Sequence, residues 1–489
     1  MSQTDTSISD YLNALRKSTM FHMSLGSKEL FHSNFLHWIS IVNWSAFLKI
    51  MHGLADTEKF WWEKIDEKDP HKCPEDIKVF REHRNFDLSI YILDSEKEVV
   101  DNSNYNKVEN DDNTTEYTQD SKGKRKVQKW IPVLILENKM KSLPYKAQLE
   151  EYTKKAFEEW SSGKDTKMKL KARAGENKQL VVNPNDKYSI TFIVLSLKGT
   201  LKLEDVIPHS KNSKNPKNQL TLNSKWIGKT YKDLLGQLKD VSLKTSLDNE
   251  VLKDYCKFVE AICGLADKWT ITSDMKYRSQ IFPWGINGRD AEEKIEEINN
   301  YKELRIHDIH EKLLYDQLLN MLEIKLKENG FKFRRFNAKT NQNDINNNIK
   351  IFTNSNYAHG IGIVEAFFVI NNNFKLFLQV QGDRYCHMVI HDKIVKKDMA
   401  QKKKLFVNTD VITSEPIKKA LSEYISIDNS SPTFPWNVPS SWGKYGEGII
   451  YQFVLIPETA FIGNVIEEMI KDLQKIEEIG SNIKSYYLK

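Results

Sequence analysis

The sequence predicts an α/β protein in two parts: a mixed sheet flanked by helices, then a C-terminal α+β domain. Three observations carry this. Across residues 8–265, apolar runs and helix-periodic stretches follow one another as helix, strand, strand, helix, strand, helices, an order that wraps helices around a mixed sheet. Residues 269–287 hold Phe282-Pro283-Trp284-Gly285, which marks a boundary. Beyond it both periodicities resume. The 489 residues, 40% hydrophobic and 28% charged, exclude a disordered chain, a collagen-like fibre and a small disulfide scaffold. The domains are therefore set at 1–268 and 284–489.

The first part reads element by element. Residues 8–51 are helical, with Leu30, Phe31, Phe35, Trp38, Ile39 and Val42 on one wide apolar face. Residues 86–93 (FDLSIYIL) alternate and are rich in aromatic and β-branched side chains, so they form a strand. Residues 131–137 (IPVLILE) suit a buried strand. Between these two, residues 94–129 are rich in Asn, Asp and Lys and nearly lack aliphatics. They read as a flexible insertion in a hairpin. Residues 145–160 are helix-periodic, 188–197 (YSITFIVLSL) form a buried strand, and 225–238 and 249–265 read as helices.

In the second part, residues 290–329 are helical, and 331–336, 361–369, 375–381 and 446–455 are strands. A hairpin turns at Asn371-Asn372-Asn373, and residues 461–479 form a last helix. His307 and His310 lie on a charged helix, where such histidines are usually exposed. Tyr385 reads as core.

The chemistry concentrates where residues 130–139 end. An apolar strand stops in an acid, an amide and a base: Glu137, Asn138 and Lys139. Residues two apart on a strand share a face, so Glu137 and Lys139 project together and Asn138 faces away. Asp87 opens the preceding strand, and a hairpin can bring it beside them. Two carboxylates can hold a hard divalent cation, with water and phosphate completing its shell. Such a cation activates water, and a nearby lysine can orient that water or stabilise developing charge. The plain alternatives are a turn cap at Asp87 and a surface ion pair between Glu137 and Lys139.

Asp87, a long gap, then Glu137-Asn138-Lys139 resembles the PD-(D/E)XK nuclease superfamily, whose fold is restriction-endonuclease-like. The residue before Asp87 is Phe86 where the motif has proline. Further residues resemble one free-standing subfamily: Glu29 ahead of His32-Ser33 in the first helix, Gln148 and Tyr152 on the helix after the motif, and Trp226 and Tyr231 later. The resemblance covers about residues 24–265. It implies a metal-dependent deoxyribonuclease using Mg²⁺ or Mn²⁺. Catalytic roles fall to Asp87, Glu137, Lys139 and Gln148, and metal ligation to Asp87, Glu137 and Glu29. Gln148 and Tyr152 would hydrogen-bond behind the metal. Free-standing members of the family often look like defence or mobile-element proteins.

DNA is the expected partner, with RNA left open. Between Lys164 and Lys232, fifteen Lys or Arg stand against five Asp or Glu, an excess of ten where the whole chain has five. Lys169, Lys171, Arg173, Lys178, Lys211, Lys214 and Lys217 are the candidate phosphate contacts, since each phosphate neutralised releases counterions. The C-terminal domain is a candidate for recognition or regulation, or for contact with a second copy or a protein partner. No run approaches the roughly 18 apolar residues of a membrane span. The polar first ten residues lack a signal-peptide pattern. Four scattered cysteines fit a reducing cytoplasm.

Overall fold

The computed structural model describes residues 6–25, 28–83, 85–99, 115–119, 125–140, 146–162, 190–198, 226–283, 289–335, 351–358, 361–371, 374–391, 443–445 and 449–487. The chain is α/β and divides into two units, Met1–Leu265 and Ala266–Lys489. Among the described residues no helix is long and apolar enough to cross a membrane.

Unit 1 opens with α1 (Ile8–Lys17), α2 (Thr19–Ser24), α3 (Lys28–Val42) and α4 (Trp44–Ala55). Asn43 separates α3 from α4 because its side-chain oxygen caps α4, accepting the Ala46 N–H at 3.0 Å. A six-stranded sheet follows, from β1 (Ile77–His83), β2 (Phe86–Val99), β3 (Thr115–Gln119), β4 (Arg125–Lys139), β5 (Thr191–Ser196) and β6 (Trp226–Thr230). Its order is β1-β2-β4-β5-β6, with β3 paired to β4 off that path. The β1–β2 and β2–β4 pairs are antiparallel, while β4–β5 and β5–β6 are parallel. The remaining helices are α5 (Lys146–Ser162), α6 (Tyr231–Lys239) and α7 (Ser246–Lys268).

β4 is the central strand. Every residue from 130 to 140 is buried, as expected where helices cover both faces. Each fully buried Leu, Ile or Val here contributes about 1.5–3 kcal/mol. Pro132, which has no N–H to give a ladder, sits beside a bulge, where proline is tolerated: Ile90 pairs with Leu134 but Tyr91 with Pro132, leaving Val133 as the extra residue.

Two expectations change. The described residues of the 94–129 insertion, 94–99, 115–119 and 125–129, are strand, and the rest of that insertion lies outside the described residues. Ser95–Val99 pair with Arg125–Lys129, and Thr115–Gln119 pair with the other edge of those residues. Main-chain hydrogen bonds extend the buried hairpin into a ribbon, a contribution that a count of apolar side chains misses. Residues 225–238 are not one helix either. Trp226–Thr230 pair in parallel with β5, and the helix begins only after Thr230. There a capping box forms, Thr230 Oγ1 accepting the Asp233 N–H at 3.2 Å while the Asp233 carboxylate accepts the Thr230 N–H at 2.7 Å.

Unit 2 holds α8 (Tyr277–Ile281), α9 (Arg289–Glu303), α10 (His307–Glu328), β7 (Phe333–Arg335), β8 (Ile351–Ala358), β9 (Ile361–Asn371), β10 (Phe374–Gln381), β11 (Arg384–His391), β12 (Gly443–Tyr445), β13 (Ile449–Leu455) and α11 (Ile462–Tyr487). The seven strands run β12-β13-β11-β10-β9-β8-β7, antiparallel except at β7–β8. The hairpin between Asn371 and Phe374 is present. α10 and α11 lie close on one face: a Cβ at Gly362 would meet the Tyr315 ring at 2.1 Å, and one at Gly480 the Phe368 ring at 2.2 Å. Tyr385 is core, and its hydroxyl and His387 both bond Asp472 of α11, at 2.7 and 2.9 Å. Residues 269–283, the described part of the stretch read as a boundary, pack within this unit, with Trp269 donating to the Tyr301 hydroxyl at 2.9 Å and Tyr277 to the Gly382 carbonyl at 2.7 Å. His310 is buried between the Trp269 and Tyr301 rings, against the expectation of an exposed histidine.

Candidate active site

The site forms at the C-terminal end of β4, because the β2–β4 register brings distant residues together. Leu88 pairs with Leu136, and one step further Asp87 comes across from Glu137. The Asn138 N–H donates to Asp87 Oδ2 at 2.6 Å, which locks the carboxylate to the partner strand. Glu137 and Lys139 share a face as strand alternation requires, with Lys139 Nζ 2.5 Å from Glu137 Oε1. This pair is not on the surface. The side chains are 7% and 2% exposed, and their mutual charge is what makes such burial tolerable.

α5 closes this face. Gln148 donates from one amide nitrogen to Glu137 Oε1 at 3.4 Å and to the Tyr152 hydroxyl at 2.7 Å. One helical turn separates Gln148 from Tyr152, so both lie on the same side of the helix. Burial raises the Tyr152 phenol pKa, and the negative charge of Glu137, with a smaller part from Asp87, pushes it further. α5 is fixed to the sheet by Thr153, whose hydroxyl accepts from the Trp226 indole at 2.9 Å and donates to the Leu149 carbonyl at 2.8 Å. The Phe86 ring meets Tyr152 edge-on at 5.6 Å.

Asn138 faces the other way. Its amide donates to Ser33 of α3, and the Tyr231 hydroxyl of α6 donates to its oxygen at 3.5 Å. Beside them His32 is wholly buried. Its Nδ1 lies 2.6 Å from the Tyr255 hydroxyl, and its ring lies among Tyr231, Tyr255 and Phe258. Burial drives the His32 pKa from 6.5 down to about 3, so the ring is neutral in the folded protein. The folded value lies below the unfolded one, so between those limits the unfolded chain binds the extra proton and stability falls as pH drops. From above pH 6.5 down to pH 5 this amounts to about 2 kcal/mol. Urea denaturation at pH 7 and pH 5 is expected to show wild type losing about that much more than His32→Gln. Equal losses would place the buried proton deficit elsewhere.

The structure thus gathers Asp87, Glu137, Lys139, Gln148 and Tyr152. Glu29 lies on α3, but its side chain is outside the described residues. So are Lys169, Lys171, Arg173, Lys178, Lys211, Lys214 and Lys217. The part of Ser33 and Tyr231 in holding Asn138 was not anticipated, although the outward phase of Asn138 was the signal for it.

The donor set fits a hard cation. Among the described residues no group of three or more His, Cys, Asp or Glu could hold a metal. Two carboxylates on one face match Mg²⁺ or Mn²⁺, which take few protein ligands and keep waters or substrate phosphates. No protein-family model, curated protein or solved structure matches the chain.

Proposed function

We propose that the chain is a divalent-metal-dependent nuclease of the PD-(D/E)XK kind, its first unit restriction-endonuclease-like, and that it hydrolyses phosphodiester bonds in DNA. The observation that supports this is the meeting of Asp87, Glu137, Lys139 and Gln148 at one strand end, from three separate elements. A buried structural ion pair needs neither the second carboxylate nor the glutamine.

Asp87 and Glu137 would hold Mg²⁺ or Mn²⁺. An ion held there would supply the Lewis acidity that activates water and offsets charge developing on phosphate. The chain's own groups do the rest. Lys139 keeps an ammonium beside Glu137, where it can donate a hydrogen bond to an attacking water or a phosphoryl oxygen. Gln148 limits the rotamers of Glu137, so the ligand is oriented before substrate arrives. Burial lowers the local dielectric and strengthens both effects. The second unit is the place for substrate recognition, regulation or a partner.

The test is cleavage of plasmid, linear duplex and RNA with Mg²⁺ or Mn²⁺, with and without EDTA, beside Asp87→Asn. Metal-dependent cutting of DNA that the variant loses supports the reading. Cutting of RNA alone reassigns the substrate. Binding to DNA with no cutting under either metal leaves a non-catalytic nucleic-acid-binding module.

A further inference from the structure

The geometry points to a positioning device behind the sheet: we infer that Ser33, acting through Asn138 and assisted by Tyr231, sets the orientation of the Asp87 carboxylate. This rests on the nuclease reading and adds residues to that site from the face opposite the reacting groups.

The connection is a chain of contacts. Asp87 Oδ2 accepts the Asn138 main-chain N–H at 2.6 Å. That N–H points where it does only if the peptide before Asn138 keeps its tilt. At a strand end the tilt is weakly held, because the β2–β4 pairing stops at Leu88 and Leu136. The parallel β5 ladder continues past it to Lys139 but holds the other edge of the strand. The Asn138 side chain supplies the missing restraint. It is wholly buried, its amide donates to Ser33 Oγ, and its oxygen accepts from Tyr231. Ser33 and Tyr231 are also wholly buried, on α3 and α6, separate elements from the strand end. α3 packs on β1, β2 and β4, and the His32 ring wedges between Tyr231 and Phe258, at 4.7 and 5.5 Å between ring centres. The carboxamide is therefore held firmly at its amide end by Ser33 and more weakly at its oxygen by Tyr231 at 3.5 Å, and this restrains the turn of the main chain.

Asn138 thus couples two faces of one strand. Its side chain reads the position of α3 and α6, and its main chain passes it to Asp87. Ser33, Asn138 and Tyr231 touch neither substrate nor metal in this arrangement and are positioning residues.

The experiment measures Mn²⁺ binding by electron paramagnetic resonance, together with cleavage kinetics, on Ser33→Ala, Asn138→Ala and the double variant of the full chain. Partners behind a metal ligand typically alter metal affinity or activity by roughly 10–100-fold. Ser33→Ala is expected to weaken Mn²⁺ binding about tenfold and to lower kcat with KM for DNA unchanged. In the Asn138→Ala background the same substitution should have no further effect, because its route to Asp87 is already cut. A merely structural serine would instead weaken both backgrounds equally. Tyr231→Phe keeps the ring packing and removes only the hydroxyl, so it gives a smaller loss in the same direction and covers the case of a poorly folding Asn138 variant. Unchanged Mn²⁺ affinity in Ser33→Ala, or equal losses with and without Asn138, overturns the proposal alone. A wild-type protein that binds no Mn²⁺ overturns the nuclease reading and this proposal with it.

Discussion

Asp87→Asn is expected to lower the single-turnover rate of DNA cleavage by at least about 100-fold and to leave folding and duplex binding intact. The substitution is close to isosteric, and the asparagine oxygen can still accept the Asn138 N–H that Asp87 Oδ2 accepts at 2.6 Å. Position 87 is half-buried, so no large cavity follows. What changes is one negative charge. A hard cation held by two carboxylates loses half of its charged protein ligands. Removing a partner behind a ligand already costs about 10–100-fold, and a ligand itself should cost more. A 100-fold loss corresponds to about 2.7 kcal/mol of barrier, within reach of one charge in a site of reduced dielectric. The check is single-turnover cleavage at saturating Mn²⁺, with circular dichroism and duplex binding as controls. A variant cutting within a factor of about three of wild type would remove Asp87 from the metal site, since a ligand's charge cannot be worth so little.

The parts of this site that were legible in the sequence are those set by one strand's own geometry. The end of the apolar run in Glu137, Asn138 and Lys139 fixed their alternation, and the structure keeps it, with Glu137 and Lys139 paired and Asn138 turned away. Asp87 was placed correctly in the hairpin even though the Val133 bulge shifts the register, because both site residues lie on the same side of the bulge. What the sequence could not show is set by partners far along the chain. Ser33 lies 105 residues from Asn138 and Tyr231 lies 93, and no local pattern records such contacts. His310 misled for the same reason. Its sequence neighbours are charged, but Trp269 and Tyr301 bury it. The ribbon misled differently. Its strands are poor in apolar residues, yet pairing from Ser95 to Val99 continues a ladder already nucleated in the buried part of β2. Cooperative extension substitutes for propensity there. The helix start at Tyr231 was a matter of capping, since Thr230 and Asp233 place the boundary that apolar periodicity blurs.

Lys139→Met is expected to destabilise the protein by about 3–5 kcal/mol and to abolish cleavage, whereas Glu137→Leu/Lys139→Met together should recover most of that stability and stay inactive. The distinction follows from where the pair sits. With side chains 7% and 2% exposed and 2.5 Å between charges, each ion is tolerated because of the other. Methionine fills the volume of the lysine stem, so packing is nearly conserved and the loss is electrostatic. It strips Glu137 of this cation, and a neutral amide such as that of Gln148, at 3.4 Å, does not replace a positive charge beside a buried carboxylate. Replacing both ions with apolar groups removes the desolvation penalty along with the attraction, and such exchanges are often neutral or stabilising by about 1–4 kcal/mol. A surface pair behaves otherwise, costing about 0–1 kcal/mol on loss of one partner. Urea denaturation of the three proteins, with cleavage measured on each, reads both quantities. A Lys139→Met cost below about 1 kcal/mol would mean that the pair is solvated, and the buried geometry would be refuted. A double variant as stable as wild type and unable to cut would show that the charges are not there for folding: a chain that needed only a stable strand end would do as well with leucine and methionine, and the acid and base in this position are then explained by the reaction they serve.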